Sequence, residues 1–101
     1  MKEYNKLVRD KIPEIIAAKG EKAETHIADE AEFMAKTKEK LSEELAEFLE
    51  SDNPEELADL LEITYATAAG LGVSEEKLND IRQEKRNKRG GFTKKIILER
   101  S

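Results

Sequence analysis

The sequence predicts an all-α fold, a helical bundle in which two helices from each of two copies form a four-helix bundle. Apolar residues recur at three- and four-residue spacing through long stretches, as is typical of amphipathic helices. Residues that favour helix caps precede these stretches, and the connections between them are short. Only 38% of the residues are hydrophobic and 41% are charged. A single copy would therefore enclose a thin core, and association is one way to bury more apolar surface.

Length and composition narrow the class of protein. The 101 residues correspond to a single small domain, residues 1–101, and contain no cysteine, which excludes disulfides, a thiol nucleophile and thiolate metal ligands. No apolar run approaches the ~18 residues of a membrane-spanning helix, and the N-terminus lacks the apolar core of a signal peptide. We therefore expect a cytoplasmic protein with no membrane partner.

A short helix is predicted within the first twenty residues. Asp10 is a candidate N-cap, and Pro13 falls in the first turn, where the missing N–H of proline is harmless. Gly20 is a natural stop for this helix. Arg9 and Lys11 place two positive charges around the helix start.

Two long amphipathic helices are predicted over residues 30–50 and 54–69. Asp29, with Glu32 three residues later, forms a capping box for the first of them. Asn53 caps the second, with Pro54 at its first helical position and Glu56 completing another capping box. The connection is so short that we expect the two helices to be antiparallel neighbours.

A further helix is predicted from Ser74 to about Lys88, followed by a basic segment and Gly90 as its cap. The remaining weakly alternating or β-branched segments are expected to form short strands near the two ends of the chain. These segments are residues 21–28 and residues 93–99, and we expect the second to pair with residues 22–28.

Both central helices carry acidic residues beside their apolar stripe. Carboxylates three or four residues apart on a helix are neighbours, and the antiparallel arrangement would bring four of them together: Glu44, Glu47, Glu56 and Asp59. Such a group suits Mg²⁺, with Mn²⁺ as an alternative, because hard cations prefer oxygen ligands. Acidic pairs at this spacing are common in a chain with 23 acidic residues. Spacing alone therefore leaves two interpretations open, a metal site and a solvated acidic helix face.

The charge distribution is uneven along the chain. Residues 29–62 hold 13 acidic and 3 basic residues, whereas residues 63–101 hold 9 basic and 5 acidic residues. An acidic centre with basic flanks is expected where a divalent metal meets a polyphosphate, and it equally fits a solvated acidic helix with a basic tail. The net charge of −5 and the lack of an extended basic stripe argue against a nucleic-acid partner.

Three blocks of the sequence resemble the all-α nucleoside triphosphate pyrophosphohydrolase superfamily, in its MazG-like, phosphoribosyl-ATP pyrophosphohydrolase-like branch. They are E-E-x-x-E followed by E-x-x-D on adjacent helices, NKLVRDKIPEII at residues 5–16, and KRNKRGGF at residues 85–92. The resemblance covers nearly the whole chain. It implies a Mg²⁺-dependent, house-cleaning type of hydrolase that converts a nucleoside triphosphate to the monophosphate and pyrophosphate, acting as a homodimer or higher homo-oligomer. Two alternatives stay open: the phosphoribosyl-ATP pyrophosphohydrolase of histidine biosynthesis, and a non-enzymatic helical interaction module.

The resemblance also implies roles for individual residues. Glu44, Glu47, Glu56 and Asp59 are the expected metal ligands. Glu43 or one of the ligand carboxylates, Glu47 among them, is expected to accept a proton from the attacking water. The cations expected to bind substrate phosphate are Arg9, Lys11, Lys40, Lys85, Arg86 and Arg89.

Overall fold

The structure, a computed structural model, describes residues 2–101, which form four α-helices and no strand. In chain order these are α1 (Ile12–Ala18), α2 (Glu30–Ser51), α3 (Pro54–Gly70) and α4 (Glu75–Arg89). The predicted all-α class is confirmed, and the three long helices begin and end within one residue of the predicted bounds. Among residues 2–101, no helix combines the length and the apolar character needed to cross a membrane.

The helices α2 and α3 form an antiparallel hairpin, the largest packed unit of the molecule. The chain reverses direction at Asp52 and Asn53. Asp52 adopts a left-handed conformation with φ 55° and ψ 20°. The side chain of Asn53 accepts a hydrogen bond from the N–H of Glu55 at 3.0 Å, so the predicted cap is confirmed. Glu56 does not close the predicted capping box, because the N–H of Asn53 donates to Ser51 Oγ at 3.2 Å instead.

The hairpin encloses little apolar surface. Within residues 2–101 the buried side chains are Thr37 and Glu44 on α2 and Ile63 and Ala68 on α3, so two of the four are polar. Four leucines on the two helices remain exposed, namely Leu45, Leu49, Leu57 and Leu61. One apolar face of the hairpin therefore lacks a partner within the chain.

The last helix packs against the hairpin only near its beginning. Tyr65 on α3 donates a hydrogen bond to Asn79 on α4 at 3.2 Å, and every residue from Asp80 to Ser101 is exposed. The radius of gyration is 17.5 Å, whereas a compact chain of this length has about 13 Å. The C-terminal half of α4 and the tail thus form an arm that extends from the hairpin.

The start of α1 differs from the prediction. Lys11 is the N-cap residue, and no side chain caps the helix, so the prediction that Asp10 caps it is wrong. The first turn is instead closed by the N–H of Ile12, which donates to the carbonyl of Arg9 at 3.0 Å. Gly20 has φ 78°, a conformation that glycine adopts without strain, and the chain leaves the helix there as predicted.

The predicted short strands are not confirmed. Residues 21–28 and 93–99 contain no strand. Two isolated strands are marginally stable in water unless they pack against another element. Ile96, Ile97 and Leu98 are 77%, 83% and 76% exposed, so the tail has no surface within the chain on which to pack.

Replacing Asn53 tests the hairpin turn. We expect Asn53→Ala to lower the free energy of unfolding by about 1 kcal/mol, because the N–H of Glu55 loses its acceptor at the helix N-terminus. Asn53→Asp retains an acceptor and adds a negative charge at a helix N-terminus, so it should be at least as stable as the wild type. Urea unfolding followed by circular dichroism measures both variants, and equal stability of Asn53→Ala and wild type would show that the cap contributes nothing.

Candidate metal centre

Three of the predicted ligands converge across the α2–α3 hairpin. Glu44, Glu56 and Asp59 each offer one carboxylate oxygen, and these three oxygens lie within 4.8 Å of one another. Glu56 and Asp59 are three residues apart in the first turns of α3, on one face of the helix. Glu44 reaches them from α2 because the short turn keeps the two helices side by side. We refer to these three residues as the carboxylate cluster.

Glu44 is the least solvated member of the cluster. The residue is 6% exposed, and its Oε2 has no hydrogen-bond partner within the described chain. Burial raises the pKa of Glu44 above its ordinary value of 4.5, and the neighbouring Glu47 raises this pKa further, while Lys40 opposes the shift. Burying a carboxylate oxygen without a hydrogen-bond partner costs free energy, so a cation bound at the cluster would stabilise it.

The other two predicted carboxylates lie at the edge of the cluster. Glu47 is exposed and outside the converging group of three, but its negative charge is near enough to raise the pKa of Glu44. Glu43 is partly exposed and forms ion pairs with Lys6 at 3.7 Å and with Lys40 at 3.8 Å. Both residues are therefore near the site without being part of its centre.

Two of the predicted phosphate-binding cations reach the carboxylate cluster. Arg9 Nη2 donates to Asp59 Oδ1 at 2.7 Å, and Lys40 Nζ lies 3.5 Å from Glu44 Oε1. Lys6, which sequence analysis did not select, lies beside Glu43. Lys6 lies in a non-helical segment, where no periodicity relates a residue to α2. The only feature of the sequence that pointed to Lys6 was its position in the block at residues 5–16.

The remaining predicted cations lie elsewhere. Lys85, Arg86 and Arg89 line an open cavity at the end of α4, together with Arg82, Gly90, Gly91 and Phe92. Among residues 2–101, no ion pair joins these three cations or Lys11 to the carboxylate cluster. Arg9 and Lys40 therefore lie at the cluster, Lys85, Arg86 and Arg89 lie on the arm, and Lys11 lies at the start of α1.

The donor set of the cluster indicates which ion it fits. All three donors are carboxylates, which suit Mg²⁺ or Mn²⁺, and no histidine or cysteine that would favour zinc belongs to the group. The unpartnered Oε2 of Glu44 is a donor that such an ion would satisfy. Comparisons of the chain with protein-family models, with curated proteins and with solved structures find no match. The interpretation of the cluster therefore depends on its own geometry and chemistry.

The raised pKa of Glu44 predicts a pH-dependent effect on stability. Because the folded chain holds this proton more tightly than the unfolded chain, wild-type stability should fall as pH rises from 4.5 through the raised pKa. Glu44→Gln removes the buried charge, and its amide can donate to the carboxylates of Glu47, Glu56 or Asp59. In EDTA at pH 8 we expect this variant to be more stable by about 1 kcal/mol.

Urea unfolding as a function of pH measures this difference. The gain should vanish near pH 4, where Glu44 is protonated in the wild type as well. Glu50→Gln is the matched control, since Glu50 is exposed on the same helix, and it should change stability by less than about 0.5 kcal/mol. A Glu44→Gln variant that is less stable than wild type at pH 8 would contradict the assignment.

Proposed function

We propose that this protein is a Mg²⁺-dependent nucleoside triphosphate pyrophosphohydrolase that releases a nucleoside monophosphate and pyrophosphate. The observation that carries the proposal is the buried carboxylate of Glu44, whose Oε2 has no hydrogen-bond partner within the described chain and whose neighbours Glu56 and Asp59 offer oxygens within 4.8 Å. Arg9 and Lys40 contact two of these carboxylates and supply positive charge that would attract a polyphosphate. The choice of a nucleoside triphosphate comes from the sequence resemblance.

Each carboxylate has a distinct part in this proposal. Glu44, Glu56 and Asp59 would hold the metal, with Glu47 available as a fourth ligand beside Glu44. When bound, a divalent metal polarises phosphoryl oxygens and lowers the pKa of water. Glu43 or Glu47 would accept one proton from the attacking water, whose oxygen forms the new bond to phosphorus as the α–β anhydride bond breaks. The leaving pyrophosphate takes the electron pair of that bond.

The cations at the cluster would neutralise charge on the phosphates. Arg9 offers a planar fork of donors that matches phosphate oxygens, and Lys40 offers a compact positive charge. Both would stabilise negative charge as it shifts toward the leaving pyrophosphate. Lys11, Lys85, Arg86 and Arg89 remain phosphate-binding candidates through the resemblance. Among residues 2–101 none of these four cations forms an ion pair with the cluster, so their contribution would depend on how two copies associate.

We also propose that the active species is at least a homodimer. The chain exposes 9080 Å², whereas a compact monomer of 11.5 kDa exposes about 5,800 Å². The excess of about 3,300 Å² is well above the ~800 Å² that each partner buries in an interface of standard size. The exposed leucines of the hairpin supply an apolar face for this contact. Two hairpins packed through these faces would form a four-helix bundle.

A nucleotide panel with Mg²⁺ tests the proposed reaction. We expect triphosphates to be hydrolysed with release of pyrophosphate rather than orthophosphate, and we expect EDTA to abolish turnover. Glu47→Gln should lower kcat by about 10²-fold or more, because it removes both a ligand and a candidate proton acceptor. Glu50→Gln, an exposed position on the same helix, should retain wild-type activity. Equal turnover with and without EDTA would rule out the metal mechanism.

Sedimentation measures the proposed association. We expect a dimeric or larger mass at micromolar concentration, and we expect Leu57→Glu to shift the mass toward the monomer because it places a charge in an apolar interface. Ser42→Glu adds the same charge at an exposed polar position on α2 and should leave the mass unchanged. A monomeric wild type with full activity would contradict the proposed dimer.

A further inference from the structure

The N-terminal segment places a fixed positive charge on one of the candidate metal ligands. Arg9 Nη2 contacts Asp59 Oδ1 at 2.7 Å, although the two residues are 50 positions apart. Asp59 is the only member of the carboxylate cluster that accepts a hydrogen bond from a side chain among the described residues.

Little else holds this segment against the hairpin. Residues 2–11 lie outside the helices, and among them Leu7 alone is not exposed. α1, which follows, makes no close backbone approach to another helix of the described chain. A second ion pair joins Lys6 to Glu43 at 3.7 Å, between groups that are 43% and 38% exposed. Since exposed ion pairs contribute little to stability, the segment can leave the cluster without disrupting a packed interface.

A metal ion and Arg9 would compete for Asp59. Metal–oxygen bonds are about 2.1 Å long for Mg²⁺, so an ion on this carboxylate would stand within about 5 Å of the guanidinium. Like charges at this separation repel each other. A divalent ion also satisfies the buried oxygen of Glu44, which Arg9 does not reach.

We propose that Arg9 is a tethered counter-cation, which rests on Asp59 in the metal-free protein and is displaced when a divalent metal binds. This inference rests on the proposed metal site and describes how Asp59 is paired before a metal binds. The displaced guanidinium stays next to the cluster because the chain tethers it, and it is then free to bind a phosphate of the substrate. Arg9 therefore opposes binding of free metal and favours binding of metal together with a polyphosphate.

Isothermal titration calorimetry with two probes tests this inference on the full chain. The first probe is Mg²⁺ alone, and the second is pyrophosphate in the presence of saturating Mg²⁺. We expect Arg9→Gln to bind Mg²⁺ about threefold to fivefold more tightly than wild type, which corresponds to the loss of one exposed ion pair. The same variant should bind pyrophosphate at least about tenfold more weakly, because a charge-assisted contact is lost.

Two further variants separate this exchange from a general effect of charge. Lys19→Gln removes the same charge at an exposed position just after α1, where no ion pair to the cluster exists among residues 2–101. It should change Mg²⁺ affinity by less than about twofold at physiological salt, where exposed charges are screened. Arg9→Lys keeps the charge without the forked donors and should fall between wild type and Arg9→Gln with both probes.

The outcomes distinguish the inference from the proposed function. Opposite shifts for the two probes in Arg9→Gln, with smaller shifts in Lys19→Gln, support the displacement of Arg9 by the metal. Equal Mg²⁺ affinity in Arg9→Gln and wild type would overturn the proposed displacement of Arg9 and leave the proposed metal site intact. Failure of the wild type and every variant to bind Mg²⁺ or Mn²⁺ would overturn the metal site and the exchange together.

Discussion

Burial of the Glu44 carboxylate between two antiparallel helices is the constraint around which the molecule is arranged. The fold brings Glu56 and Asp59 up to an acidic group that is already poorly solvated, so repulsion between like charges acts against the packing of α2 on α3. Lys40 and Arg9 offset part of this repulsion. The hairpin thus buries an acidic group beside two other carboxylates, and a cation that binds the folded chain there would stabilise it.

The same constraint relates the fold to the proposed chemistry. A site that lacks positive charge has a higher affinity for a metal than one whose carboxylates are already paired. In the proposed reaction, a tethered and exposed counter-cation such as Arg9 could move to an incoming anion at little cost in free energy. In the proposed reaction, the substrate would bring both the metal ion and the phosphate groups, and the protein's carboxylates and cations would neutralise the charge of each.

Sequence alone predicted what local interactions decide. The caps at Asp29, Asn53 and Ser74, and the periodicity between them, were sufficient to predict the three long helices. The short turn predicted that Glu44 and Glu47 meet Glu56 and Asp59, and the structure brings three of these four carboxylates together, without Glu47. The contacts of Arg9 and Lys6 could not be predicted from the sequence, because no local pattern relates a non-helical segment to helices far along the chain. The predicted strands are not confirmed for a related reason: strand pairing requires a surface to pack on, and the single chain does not provide one.

The turn at Asp52 and Asn53 also fixes the rotational phase of α3 relative to α2. Each residue added to a helix rotates the following side chains by about 100° and advances them by about 1.5 Å. An insertion that extended either helix by one residue would turn Glu56 and Asp59 away from Glu44 while leaving both helices amphipathic and capped. Loop length, usually the most freely varied feature of a helical hairpin, is therefore under geometric restraint in this chain, and homologues that keep the site should keep the spacing between its two acidic motifs compatible with that phase.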